Sequence, residues 1–262
     1  MTVLLVGVGA DTDHVRPALH LDEAGRFEYL PIPETEPTSE RTTYGSWILD
    51  HREGTATQFV DGIRPKGEDG TWIDDQSEIS SWPVHHDPNF EALSFGDRRG
   101  NGGKGSSISK HLTSGDILGF YTGIKRSPDD DDLHRFLYGY MSVDAVHDLS
   151  SLDKETYYDK LRQFPENAHA KRLEGGGSPK HDDLVIVDGT TPAEKLTYPI
   201  RMSERIEKSP WYKITNEFAS DFAVQSGLKG ICRKFPVKLD LKSTEFIEKI
   251  QERRFRQHER PE

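Results

Sequence analysis

Residues 112–146 constrain this chain most, because two apolar, aromatic-rich runs there are separated by a stretch that must lie in solvent. Gly115 and Asp116 supply a turn, and Ile117 to Ile124 then reads as a strand. Lys125 to Asp132 holds Pro128 and four consecutive aspartates, whose mutual repulsion favours water. Phe136 to Val143 is the returning strand, so the stretch is a central antiparallel hairpin. Each strand sets a glycine beside aromatic rings, including Tyr121, Tyr138 and Tyr140. That pattern suits either a flat ligand or an ordinary β core.

A chain of 262 residues can bury a substantial core. Its net charge of -11 argues against broad, nonspecific binding to phosphates, so any nucleic-acid partner requires a confined basic face. No apolar run approaches the roughly 20 residues of a membrane helix, and Met1 to Ala10 lacks a positive leader region. The single cysteine, Cys232, sits near Lys229, Arg233 and Lys234 and beside Ile231, which leaves a lowered thiol pKa and a buried, inert thiol both open. It cannot form an internal disulfide, so a cytoplasmic protein with no membrane association is expected.

Val3 to Val6 is a short apolar run that feeds the turn Gly7-Val8-Gly9-Ala10-Asp11-Thr12. A dinucleotide fingerprint fails there, since Thr12 replaces the third glycine and Pro17 interrupts the following helix. What remains is a strand end presenting backbone amides with Asp11, Asp13 and His14. Phe27 to Leu30 leads into Pro31-Ile32-Pro33-Glu34, an extended edge segment. Tyr44, Trp47 and Ile48 are the expected core anchors of the polar stretch that follows, and Lys66 to Gly70 is expected to be a surface loop.

The densest polar cluster is His85-His86-Asp87-Pro88-Asn89. Imidazole beside carboxylate suits acid–base chemistry, while a turn started by Pro88 is the structural alternative. Adjacent residues on an extended chain point oppositely, so the two histidines do not ligate one ion together, and no metal is assigned. Between Phe95 and Ser107, five glycines alternate with Arg98, Arg99 and Lys104 ahead of a short helix near 107–112. This is not a Walker loop, but bared amides beside cations form a candidate anion cradle.

A helix capped by Ser150 or Ser151 is expected to end at Pro165. Asn167, His169 and Arg172 can read a base edge and a phosphate; as an extended run, Asn167 and His169 share one face with Arg172 opposite. Gly175 to Pro179 reads as a flexible tip and Asp183 to Gly189 as a strand. The remainder reads as mostly helical, packed through Ile206, Trp211, Tyr212, Ile214, Phe218 and Phe222. A last helix from about Ser243 to Gln257 carries Phe246, Ile247 and Ile250 on one stripe before Arg253, Arg254 and Arg256.

Several of these segments together resemble the third type of the nucleotide modification associated domain families. They are Leu5 to Asp11, Phe27 to Glu34, Tyr44-Gly45, His86 to Phe90 with Phe95-Gly96-Asp97, Gly115-Asp116 with Phe120-Tyr121, and Asn167-Ala168-His169. The resemblance implies a prokaryotic or viral protein linked to DNA base modification. The central hairpin is also similar to the paired strands of PUA-like barrels such as EVE and YTH modules, which hold a flipped base against aromatic side chains.

The expected architecture is one α+β domain over residues 1–262, with a mostly antiparallel, barrel-like (PUA-like) sheet, peripheral helices and a helical extension over 200–262. The expected partners are a nucleotide or DNA carrying a modified base, and proteins of a modification or restriction system. In a reader, Tyr121, Tyr138 and Tyr140 stack on the base, Asn167 and His169 read its edge, and Arg98, Arg99, Lys104 and Arg172 hold the backbone. In an enzyme, His86 with Asp87 or Asp97 are acid and base, with Asp11 and His169 nearby. A scaffold subunit is the third class, and the cofactor is left open. Convergence of Asp11, His86, Asp97 and His169 in one cleft discriminates chemistry from the other two.

Overall fold

The computed structural model describes the chain except residues 66–70, 101–102, 178–182, 210, 225–230, 232–235 and 259–262, and gives 255–258 as backbone only. The expectations for the Lys66-to-Gly70 loop, the 178–179 tip, Cys232 with its cationic neighbours and the Arg256 side chain lie outside the described residues.

The strands in chain order are β1 (Val3–Gly7), β2 (Val15–Arg16), β3 (Ile32–Pro33), β4 (Gly62–Ile63), β5 (Val84–His85), β6 (Ser94–Arg98), β7 (Ile117–Ile124), β8 (His134–Asp148), β9 (Leu184–Arg201), β10 (Ser203–Arg205), β11 (Tyr212–Ile214) and β12 (Val237–Leu239). The helices are α1 (Gln76–Ser81), α2 (Lys104–His111), α3 (Lys154–Leu161), α4 (Ala168–Glu174), α5 (Asn216–Asp221) and α6 (Ser243–His258).

One sheet organises the molecule, in the order β12-β1-β7-β8-β9-β6. Only β1 and β7 run parallel; the other neighbours are antiparallel. The protein is therefore α+β, and its long strands curl the sheet into a half-barrel. The central hairpin is β7 on β8, from Ile117 opposite Ser142 to Ile124 opposite His134. Three two-stranded ribbons, β2 with β4, β3 with β5 and β10 with β11, lie beside the sheet.

Side chains alternate across a strand, so each face of the sheet builds its own core. Val6, Phe120, Tyr138 and Phe95 belong to one apolar cluster, which also takes in Tyr29 and Tyr44. Leu5, Tyr121 and Tyr140 belong to the other, with Phe218, Phe222 and Phe246 of α5 and α6.

Residues 200–262 are mixed rather than helical, because β10, β11 and β12 interleave with α5 and α6. Three-residue strands carry too little periodicity to be read from sequence. Trp211 and Ile48, expected to anchor the core, are exposed, whereas Tyr44 is fully buried and its hydroxyl donates to the Pro31 carbonyl at 2.7 Å. Asp153, not Ser150 or Ser151, caps α3 by accepting from the Glu155 and Thr156 amides. In α6, Phe246 and Ile250 are buried as the stripe requires.

Candidate functional site

A cleft of about 520 Å³ opens where the turn after β1 meets β6, β5 and α4. Three devices shape it. Gly9 takes φ +89°, a left-handed angle that turns the chain sharply after β1. Pairing of β3 with β5, Ile32 opposite His85, brings Glu34 to the imidazole of His85. Asn167 accepts from the His169 amide and starts α4, so His169 and Arg172 stand three residues apart on one helical face. The extended reading of 167–172 is thus corrected: an Asn cap followed by Ala-His-Ala-Lys-Arg-Leu-Glu makes helix, and Arg172 joins His169 instead of opposing it.

The innermost layer is a buried polar network. Arg172 donates from Nε to both Glu34 oxygens at 3.0 and 2.9 Å and from Nη2 to Oε1 at 2.9 Å. His85 Nδ1 lies 2.8 Å from Glu34 Oε2 and 3.2 Å from Arg172 Nη2. A guanidinium only donates, so the shorter, charge-assisted contact to Glu34 fixes the hydrogen on Nδ1 and leaves Nε2 as acceptor. His169 Nδ1 lies 3.3 Å from Arg172 Nη1, which selects the opposite tautomer, with the hydrogen on Nε2. The two rings meet edge to face at 5.1 Å. Gly96 allows this packing, since a β-carbon there would come within 2.6 Å of His169 Cδ2.

Asp87 completes the network. Its carboxyl accepts from the Gly96 amide at 2.9 Å and faces His169 Nε2 at 3.7 Å. Burial pushes its pKa well above the carboxylate range; the Gly96 amide opposes this and the Asp97 charge adds to it. Glu34 goes the other way: burial alone would raise it, but His85 and Arg172 outweigh burial and hold it well below its ordinary value. Burial lowers His85, with Glu34 opposing and Arg172 adding. One imidazole that accepts, one that donates and a carboxyl whose pKa burial raises stand together, an arrangement able to take a proton and return one.

Towards the mouth, Lys104 at the start of α2 pairs with Asp97 at 2.8 Å and donates to the Gly7 carbonyl at 3.3 Å. Arg98, more than half exposed, pairs with Asp183 at 3.1 Å. These cations rim a cleft of nucleotide size.

A ring nitrogen of His85, one of His169 and an oxygen of Asp87 lie within 4.8 Å of one another, close enough to hold a metal ion. Ligation through His169 Nε2, the atom that faces Asp87, would have to displace the hydrogen that the Arg172 contact favours there. The network as it stands favours proton handling.

The structure therefore brings together Asp87, Asp97, His169, Arg172, Arg98 and Lys104 of the residues expected from sequence. His86 points away, edge-on to Trp47 at 4.9 Å and 3.3 Å from Glu91, and His85 takes its place. Asp11 pairs with His14 at 3.0 Å outside the cleft lining, and Arg99 pairs with Asp148 at 2.8 Å. Asn167 serves as the α4 cap and donates to Ser94 Oγ at 3.3 Å. Tyr121, Tyr138 and Tyr140 are sealed in the two cores, Tyr138 stacked on Tyr29 at 5.3 Å and Tyr140 edge-on to Phe246 at 5.6 Å. Because Tyr138 lies on the opposite face of the sheet from Tyr121 and Tyr140, no stacking surface forms from the three. Sequence reasoning misses Glu34 and His85 as site residues, although each lies in a segment that its pattern singles out.

Residues 2–247 match the family model described as nucleotide modification associated domain 3. No curated protein and no solved structure matches the chain. No helix among the described residues is long and apolar enough to cross a membrane.

Proposed function

Because the chain belongs to the nucleotide modification associated domain 3 family, we propose that it is a nucleotide-directed enzyme of a base-modification system. His85, Asp87 and His169 are its acid–base centre, and Lys104 and Arg98 hold phosphate. The observation that carries this reading is two imidazoles side by side in one cleft, His85 bonded to Glu34 and His169 to Arg172, contacts that favour opposite tautomers. His85 Nε2 takes a proton from the reacting nucleotide, the Asp87 carboxyl returns one, and His169 Nε2–H steadies the developing charge as a hydrogen-bond donor. Asp97 sets the position of Lys104, whose ammonium meets the phosphate as a point charge. A reader that stacks a base on Tyr121, Tyr138 and Tyr140 loses support, since those rings lie in the core.

Mass spectrometry of total nucleosides tests this in cells carrying the wild-type gene, no gene, or His169→Gln. A nucleoside whose level depends on the wild-type gene and not on the variant is the expected result. Identical spectra in all three would overturn the enzymatic reading.

A further inference from the structure

A second, larger concavity of about 1200 Å³ lies apart from the acid–base cleft, and the two share no lining residue. It runs between the turn at 20–26, residues 51–52, the start of the acidic loop at 126–128 and the end of β9. Its lining is rich in arginine: Arg26, Arg52, Arg126, Arg201 and Arg253 line it, with the carboxylates Asp22 and Glu23.

Three of these cations have a carboxylate partner. Arg26 pairs with Asp22 at 2.7 Å, Arg126 with Asp130 at 2.9 Å, and Arg253 with Glu217 at 3.0 Å and with Asp221. The other two are held by neutral groups. Arg52 lies over the Phe59 ring, 4.3 Å from its centroid, with Nη2 reaching the His20 carbonyl at 3.5 Å. Arg201 donates from Nε to the Ser203 carbonyl at 2.9 Å and places Nη2 beside His134. Among the described residues neither forms an ion pair, so both charges are oriented by the fold through neutral groups. Tyr198, half-buried, stands in the same wall with the rings of His20 and His51.

Guanidinium groups spread along a groove beside flat rings suit a chain of phosphates and bases better than one small anion. We propose that this groove binds the backbone of a single-stranded nucleic acid, with Arg52 and Arg201 on phosphates and Tyr198 against a base. The inference rests on the nucleotide-directed reading and names its substrate class: a nucleotide within a strand, not a free one.

The test is fluorescence anisotropy of a labelled single-stranded oligodeoxynucleotide across a salt series, using the full chain. The wild type should bind, and the double variant Arg52→Gln/Arg201→Gln should raise Kd by about tenfold or more. The slope of log Kd against log salt should fall by about 0.7 for each arginine removed. Arg126→Gln, at an exposed side chain, guards against misfolding: it should also weaken binding while the circular dichroism spectrum stays that of the wild type. Arg162→Gln, at an exposed side chain that lines neither concavity, should leave strand binding intact. Undiminished binding in the groove variants, or no binding by the wild type at low salt, would overturn the proposal. So would full displacement of the strand by inorganic pyrophosphate at equal phosphate concentration, which would assign a small-anion site. None of these outcomes alters the nucleoside spectra that test the acid–base cleft, so the two readings fail separately.

Discussion

Glu34 and Arg172 lie 138 positions apart in sequence, yet the Arg172 Nε and Nη2 atoms grip the Glu34 carboxylate at 2.9 to 3.0 Å inside the protein. A buried pair of this kind costs much desolvation, so its removal from one side should be felt strongly. Glu34→Gln leaves the Arg172 charge buried and uncompensated, and should lower unfolding stability by about 3–5 kcal/mol, measured as a drop in urea midpoint. Glu34→Leu combined with Arg172→Met should recover most of that stability but not function, because His85 and His169 lose the groups that set their tautomers. A midpoint unchanged by Glu34→Gln would contradict the buried pairing.

Tyr121 separates the core reading from the stacking one. Its ring is fully buried against the α5 and α6 side of the sheet. Tyr121→Ala should therefore cost about 3–5 kcal/mol of stability. Any effect on oligonucleotide binding should be equal for modified and plain strands. A selective loss on the modified strand would restore Tyr121 as a base-contacting residue.

Acid sensitivity should appear at the second groove. Burial lowers the pKa of His20, helped by the Arg52 charge, and burial lowers that of His134, helped by the Arg201 charge. Below the ordinary histidine value of 6.5, the unfolded chain then binds more protons at these sites than the folded one does. Their contribution makes stability fall as pH drops from 6.5 towards the folded pKa values, and is absent above 6.5. Other groups oppose this, Asp87 among them, whose raised pKa favours the folded state on acidification. The clean measurement is the difference between wild type and His20→Asn/His134→Asn in urea midpoint at pH 7 and pH 5. The variant should lose less stability than the wild type between the two; an equal loss would contradict the assignment.

The sheet was legible in sequence where apolar runs are long and bounded by turn residues: Val3–Gly7 and the Ile117–Ile124 hairpin satisfy both conditions. The site was legible only in part. Alternation along β5 says that one of His85 and His86 faces the cleft, but the phase is set by pairing with Ile32 and Pro33, about fifty residues earlier. The same remote pairing delivers Glu34, which no local pattern marks as a site residue. Asn167 is different, because its role was available locally: as a cap before a helix-forming run it predicts α4, and with it the His169–Arg172 face. The aromatic residues misled for a physical reason. Glycine beside tyrosine makes room for a ligand or for another ring, and here the room is filled by Phe90, whose ring a β-carbon on Gly139 would approach to 2.5 Å.

Gly96 tests the packing of the acid–base centre without changing any polar group. A methyl there meets His169 Cδ2 at 2.6 Å and Ile186 Cδ1 at 3.1 Å. Gly96→Ala should cost about 1–3 kcal/mol and displace the His169 ring, abolishing the gene-dependent nucleoside change even where the protein remains folded. Full function in Gly96→Ala would contradict the requirement for this ring position.

The central claim is that a nucleotide is handled between His85 and His169. Proton–nitrogen correlation spectra of the ¹⁵N-labelled imidazoles test it most directly, during titration with a short single-stranded oligodeoxynucleotide and with each deoxynucleoside monophosphate as its fragment. The account predicts, before addition, a hydrogen on Nδ1 of His85 and on Nε2 of His169. On binding, both rings should shift while His86 and His14 stay unmoved. Shifts confined to His86 or His14, or a proton on Nε2 of His85, would contradict it.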